Sequence, residues 1–343
     1  MKAPIWTLFL LMACDTEVDE SVPEAPVDYS VEGPFIPGTL ESTLVGSTGI
    51  ELNIQVWYPS NESGDQPIRY DSLWEGGAFE ELEAACQESR PVLMFSHGWG
   101  GVRWQSPFLT EYLASHGYVV VAPDHTHNTF LDDDYTYFDS VVTRRPVDIS
   151  DSFDWLVAQS EDPASELAGC IDPEDGFAVS GHSFGGYTSF AISGAQVHDP
   201  ESDQLLDLSD PRVWATLALA PWDVDDTITR ETMAGVFSPV MTLSGTRDEN
   251  TTWNQVTDLH EGLVIEPRYL GEFPNAGHSN FAPVACFIFA DEDGCGEDFI
   301  AEEDFTALVR TAALSFLESA RGIDDAISQL PESGPELIWE TVE

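Results

Sequence analysis

Three short segments of this 343-residue chain carry side chains that together could perform acyl transfer. The first is Gly181-His182-Ser183-Phe184-Gly185-Gly186. Apolar Phe177-Ala178-Val179-Ser180 precedes it, and Tyr187–Ile192, which reads as a helix, follows. A Gly-x-Ser-x-Gly turn between a strand and a helix is sharp enough to expose the serine hydroxyl as a nucleophile. The flanking glycines are needed because a Cβ there would clash with the strand or helix. A serine attacks poorly at neutral pH unless a base takes its proton and an acid orients that base. His278, in Asn275-Ala276-Gly277-His278-Ser279-Asn280-Phe281, lies after the last expected strand, on small residues that let its loop turn inward. His260 is the alternative base, but it sits in a polar helix before that strand. Asp248 ends Met241–Asp248, just past a strand and 30 residues before His278. Asp223, after the preceding strand, and the adjacent Glu249 are rival acids. Position rather than residue type selects Asp248. The tetrahedral oxyanion needs two backbone N–H donors. Phe184, next to the nucleophile, should supply one, and Trp99, in His97-Gly98-Trp99-Gly100-Gly101, the other. His97 and His182 are expected to hydrogen-bond near the site rather than transfer protons.

Alternating strands and helices must position these groups. Thr43–Val45 and Glu51–Tyr58 read as an opening hairpin. Residues 68–90 read as an insertion with a short helix over Phe79–Glu88. Buried strands are expected at Pro91–Ser96, Tyr118–Ala122, Phe177–Ser180, Val213–Leu219, Pro239–Leu243 and Val264–Leu270. Helical spacing covers Pro107–His116, Val147–Gln159 and Phe305–Ala320. Such alternation gives an α/β class protein with a mostly parallel sheet covered on both faces. His198–Asp210 and Asp291–Asp298 read as acidic loops.

Composition narrows the partners and the compartment. There are 62 acidic residues against 12 basic, a formal net charge of −50, and Lys2 is the sole lysine. Such a surface repels nucleic acid and anionic membranes. It also fits a saline habitat, where salt screens carboxylate repulsion. Residues 1–13 read as a lipoprotein-type signal peptide, with Met1-Lys2 before a short apolar run. Leu11-Met12-Ala13-Cys14 resembles a bacterial lipobox, so Cys14 would be lipidated. Residues 14–38 are acidic, contain proline and read as a disordered tether; 39–322 form the catalytic domain; 323–343 form an acidic tail. Cys86, Cys170, Cys286 and Cys295 remain, an even number suited to two disulfides in an exported protein. Cys286 with Cys295 is the local pairing, which leaves Cys86 with Cys170. Asp124-His125-Thr126-His127 and Asp132–Asp134 read as a polar loop at the cleft rim rather than a metal site. Asp291–Glu302 matches an EF-hand loop only in part, with Cys295 at its fifth position. No metal is expected.

Taken together, these blocks resemble the dienelactone-hydrolase-like group of α/β-hydrolases. The bacterial cutinase-like polyester hydrolases and the platelet-activating-factor acetylhydrolases within that group are the most similar. Phe95–Gly101 resembles the oxyanion loop, and Gly181–Gly186 the elbow, where the acetylhydrolases also carry Gly-His-Ser-Phe-Gly-Gly. Ala220-Pro221-Trp222, Gly245–Asp248 and Gly277–Pro283 are similar to the polyester hydrolases. The resemblance covers about residues 41–320 and implies the α/β-hydrolase fold. It also implies that Trp222, with Trp99, lines the substrate cleft, and that Asp248 is the acid. Its strand order sets the Pro91 and Phe177 strands side by side, in keeping with a Cys86–Cys170 pair.

The combined expectation is a monomeric, exported serine carboxylic-ester hydrolase, secreted or tethered to the cell envelope through Cys14. It would act without a cofactor on short-chain, aryl or polyester substrates. The alternatives are a lipase of the phospholipid acetylhydrolase kind and a non-catalytic surface binding protein on the same scaffold.

Overall fold

Val92-Leu93-Met94-Phe95 and Val119-Val120-Val121-Ala122 are apolar at every position, the pattern of strands covered on both faces. The computed structural model of the protein describes residues 27–202, 204–288 and 293–342 and builds these runs into a ten-stranded sheet. Its strands are β1 (Ile36–Val45), β2 (Glu51–Ser60), β3 (Phe79–Glu80), β4 (Val92–Ser96), β5 (Val119–Pro123) and β6 (Phe177–His182). They continue with β7 (Val213–Leu219), β8 (Val240–Gly245), β9 (Arg268–Phe273) and β10 (Ile338–Val342). The spatial order is β10-β9-β8-β7-β6-β4-β5-β2-β1-β3. The block from β5 to β9 is parallel throughout, while β1, β2 and β10 join antiparallel. β4 and β5 thus exchange places relative to chain order, which sets the glycine-rich loop after β4 beside the turn after β6.

Helices α1 (Pro107–Ser115), α2 (Phe138–Glu161), α3 (Phe184–Ile192), α4 (Trp253–Glu261), α5 (Pro283–Ile288) and α6 (Glu302–Ala320) complete the layers. Alternate strand residues feed opposite faces. Leu93, Phe95, Val120 and Ala122 pack with Leu109 and Leu113 of α1 and Val309 and Phe316 of α6. Val92, Met94, Val119 and Val121 pack with Ile149, Phe153 and Leu156 of α2. α3 sits beside α2, its Phe184, Tyr187 and Phe190 clustering with Val141 and Val142.

Several boundaries differ from the sequence expectation. No helix forms over Phe79–Glu88: β3 pairs with β1, and Glu81 turns the chain at φ 60°. α2 starts nine residues before Val147 and runs through Pro146. Proline cannot donate to the carbonyl four residues back; here the Val142 carbonyl accepts the Tyr187 hydroxyl instead, at 3.1 Å. β9 begins at Arg268 rather than Val264, just after Pro267. The loop 198–210 contains a small hairpin, Val197–His198 with Leu205–Leu206.

The proposed tether also ends early. Tyr29 is buried, its N–H donating to Gln329 at 3.0 Å and its carbonyl accepting the Tyr112 hydroxyl at 2.5 Å. β1 already starts at Ile36. The expected tail supplies Gln329 and β10, which caps the sheet against β9, so both termini of the described chain are pinned to the domain. The signal-like residues 1–13, Cys14 and the rest of the tether up to 26 lie outside the described residues. Among the described residues no helix is long and apolar enough to cross a membrane. The cysteines pair as Cys86–Cys170 and Cys286–Cys295.

Candidate active site

Ser183 stands between β6 and α3 with φ 58° and ψ −115°, a left-handed conformation that costs a non-glycine residue about 1–3 kcal/mol. The strain holds because the turn has no room to relax. A Cβ at Gly185 would meet the Ser96 carbonyl oxygen at 1.8 Å, and one at Gly186 the Pro221 Cα at 2.6 Å. The Ser183 N–H donates to the Leu219 carbonyl, and its own carbonyl accepts the Trp222 N–H at 3.0 Å. The end of β7 and the turn after it therefore hold the serine by both its N–H and its carbonyl.

Asp248 follows β8 and His278 follows β9, both at the same sheet edge as Ser183. His278 Nδ1–H donates to Asp248 Oδ2 at 2.8 Å, which leaves the Nε2 lone pair available. The Asp248 carboxylate is fully buried and held by further donors: the Asn250 and Thr251 N–H groups on Oδ1 and the Thr251 hydroxyl on Oδ2. Ser183 and His278 line one cleft of about 140 Å³, with Gly98, Trp99, Phe130 and, from α5, Val284, Ala285 and Ile288. The Trp99 and Phe184 N–H groups have no protein acceptor among the described residues.

The rival residues are engaged elsewhere. Asp223 accepts Gln255 Nε2 at 3.2 Å, and Glu249 uses its N–H on Asp293. His260 meets Thr242 at 3.0 Å, and burial pushes its pKa down to about 4. Trp222 does not line the cleft. Its half-buried ring packs edge-on against Phe184 at 5.4 Å, because its backbone is tied to the serine turn while its side chain points toward α2 and Phe138. Asp124 and His125 are not a rim loop. Asp124 is buried on Arg103, and His125 is buried between Ser96 and Asp148. No group of metal-ligating side chains gathers among the described residues, and the first two positions of the EF-hand-like stretch lie outside them. A wider depression of about 830 Å³ lies away from the serine around Glu41, Asp71 and Asp124, which already bind Arg103.

Four side chains that the sequence left unassigned hold the site together. Gln105 accepts the Gly98 N–H with Oε1 and offers Nε2 to His182 Nδ1 at 3.2 Å. His182 Nε2–H then donates to the His278 carbonyl at 3.1 Å. One relay therefore ties the oxyanion loop to the serine turn and the histidine loop. It requires neutral His182, and burial holds its pKa well below the usual value. Asp293 accepts the Glu249 N–H on its carboxylate and the Ser279 N–H on its carbonyl, both at 2.6 Å, bridging the neighbours of Asp248 and His278. Thr251 braces Asp248. Arg145, wholly buried in α2, bonds Ser96, the His97 carbonyl, Asn128 and Thr188. Burial draws its pKa down to about 9, so it stays cationic at neutral pH. The Gln-Ser pair after the glycine loop was the one available cue for Gln105. Nothing local marks Asp293 or Arg145.

The overall architecture is shared with a solved protein. A ferulic acid esterase from Streptomyces cinnamoneus superposes with a TM-score of 0.66 over 90% of this chain and 97% of that one, at 22% identity. The protein has the α/β-hydrolase fold. A model of the chlorophyllase family matches residues 84–206, from just before Cys86 through β4 and the serine turn to the small hairpin. No curated protein matches the sequence. In this fold Ser183, Asp248 and His278 follow three strands of the parallel block, β6, β8 and β9.

Proposed function

We propose that the protein is an exported serine hydrolase of carboxylic esters. The observation that carries the reading is the Asp248–His278 hydrogen bond, whose imidazole shares one cleft with strained Ser183. Ser183 Oγ attacks the ester carbonyl carbon while His278 Nε2 takes its proton. The carbonyl electrons move onto oxygen, which the Trp99 and Phe184 N–H groups receive. Collapse of the intermediate breaks the bond to the alcohol, which leaves with the proton from His278. Water, deprotonated by the same Nε2, then releases the acid from Ser183. Asp248 holds the imidazole in the required tautomer throughout. These residues suffice for acyl transfer without a cofactor.

The resemblance to chlorophyllases and the fold shared with a ferulic acid esterase support an ester as substrate. The narrow cleft, with its apolar α5 wall, favours a short acyl group, with aryl or polyester chains extending past Trp99. Two disulfides fit an oxidising compartment, and lipidation at Cys14 would tether a monomer to the cell envelope.

Turnover of p-nitrophenyl acetate by the wild type and by Ser183→Ala tests the reading. Activity should fall by about 10³-fold or more in the variant. A series from acetate to laurate should lose at least about tenfold in kcat/KM across its length. Equal rates for the two proteins would sink the enzyme reading.

A further inference from the structure

Of the eleven arginines, three, Arg103, Arg144 and Arg145, are buried. Arg103 and Arg144 meet carboxylates directly: Arg103 binds Glu41, Asp71 and Asp124, and Arg144 Nε lies 3.5 Å from Asp148. Arg145 makes no ion pair among the described residues, although it is fully buried. A cation buried on neutral partners is costly, so its retention asks for a reason beyond stability.

Its partners supply one. On one side Nη2 donates to Ser96 Oγ at 3.1 Å and to the His97 carbonyl. These are the last residue of β4 and the first of the loop that carries the Trp99 N–H. On the other side Nε donates to Thr188 Oγ1 at 3.0 Å, and that hydroxyl donates to the Phe184 carbonyl at 3.0 Å. The guanidinium carbon also lies 4.4 Å from the Phe184 ring centroid. Nη1 reaches Asn128 Oδ1 at 2.5 Å. Beyond the ends of β4 and β6 no sheet ladder fixes the two loops relative to each other. Besides the Gln105–His182 relay, one planar fork does so.

We propose that Arg145 is a positioning residue that locks the Trp99 and Phe184 N–H donors into a single oxyanion hole. The inference rests on the esterase reading above. Lysine cannot replace the planar fork, because its ammonium is a compact charge without fixed donor directions. Loss of the fork leaves both donors present but loosely aimed, and aim is what stabilises the transition state.

The test measures kcat and KM for p-nitrophenyl acetate in Arg145→Met, Arg145→Lys and Asn128→Ala, normalised to active sites titrated with a fluorophosphonate. kcat per titrated site should fall about 10- to 100-fold in Arg145→Met and less in Asn128→Ala, with KM within about threefold of wild type. Affinity for a trifluoromethyl ketone, which forms the tetrahedral anion, should weaken in parallel. A purely structural arginine would lower the titre and the melting temperature but leave kcat per titrated site unchanged. That result in Arg145→Lys or Asn128→Ala, which decide the matter if Arg145→Met does not fold, overturns the proposal. Absence of Ser183-dependent turnover in the wild type would instead remove the esterase reading and this inference with it.

Discussion

At the scale of single residues, the site depends on hydrogen bonds that leave each ring nitrogen one role. His278 gives Nδ1–H to Asp248, and His182 gives Nε2–H to the His278 carbonyl while accepting from Gln105 at Nδ1. Gln105 is thus the hinge of a relay that also holds the Gly98 N–H. Gln105→Leu leaves that buried N–H and His182 Nδ1 without partners, at a cost of about 1–3 kcal/mol for each unsatisfied group. The variant should melt lower, and kcat should fall at least severalfold as the loop bearing Trp99 loosens. Thermal melts and steady-state rates check this, and wild-type values for both would show that the relay is dispensable. Ser183, His278 and Asp248 were legible in the sequence because glycine pattern and chain order restrict them. Gln105 was not, since its partners lie 7 and 77 residues away.

At the scale of elements, the two disulfides do different work. Cys86–Cys170 spans 84 residues and joins the segments that lead into β4 and β6, at the sheet edge opposite the serine. Cys286–Cys295 spans nine residues and staples α5, a wall of the cleft, to the segment carrying Asp293. Loop-closure entropy assigns about 4.5 kcal/mol to the long link and about 2.5 kcal/mol to the short one. Replacing Cys86 and Cys170 by serine should therefore cost more stability but leave kcat/KM nearly unchanged. Replacing Cys286 and Cys295 should cost less stability yet lower kcat/KM several-fold. Urea unfolding and ester kinetics on the two double variants separate these effects, and the reverse ranking of activities would refute the assignment. The strands were readable from unbroken apolar runs. The short helix expected at Phe79–Glu88 was not a helix, because pairing with β1 prevailed over local propensity. α2 was cut short at Pro146 because the Tyr187 hydroxyl that satisfies Val142 comes from another helix.

At the scale of the whole molecule, 62 acidic residues face 12 basic ones, and three of the eleven arginines are buried. Self-repulsion of that charge should be strong at low salt, where the screening length is about 10 Å at 0.1 M, and weak near 1 M, where it is about 3 Å. The melting temperature should thus rise with sodium chloride. In 1 M salt, with repulsion screened, a second dependence becomes visible. Burial holds His97, His125 and His182 neutral, well below their usual pKa, and draws His260 down to about 4. The unfolded chain protonates these imidazoles as pH falls through about 6.5, and the folded protein does not. Stability is therefore lost below pH 6.5, by up to about 1.4 kcal/mol per pH unit for each. Asp148, pushed up to about 7 by burial, acts the other way, since the folded state protonates it first. Burial also raises Glu111, Asp124, Asp223 and Asp293, but less than Asp148, so the imidazoles, with His116 among them, prevail between pH 6.5 and 5.0. Urea unfolding at pH 6.5 and pH 5.0 should show lower stability at pH 5.0; equal or greater stability there contradicts this account.

By itself the sequence determined the order of the candidate groups: a serine on a glycine-bounded turn, then an acid, then a histidine, each after an apolar run. These features are local, written in spacing and in residues without side chains. It also carried the pairing of the cysteines and the extreme charge. The tertiary structure alone decided what aims those groups. Gln105, Asp293, Thr251 and Arg145 act across distances in the chain that no periodicity encodes, because a buried hydrogen bond depends on which loops the sheet brings to one edge. It also decided that Trp222 packs edge-on against Phe184, and that residues from 27 onward and the last strand belong to the folded domain, since burial of Tyr29 and pairing of β10 with β9 exist only once the sheet is closed around its core.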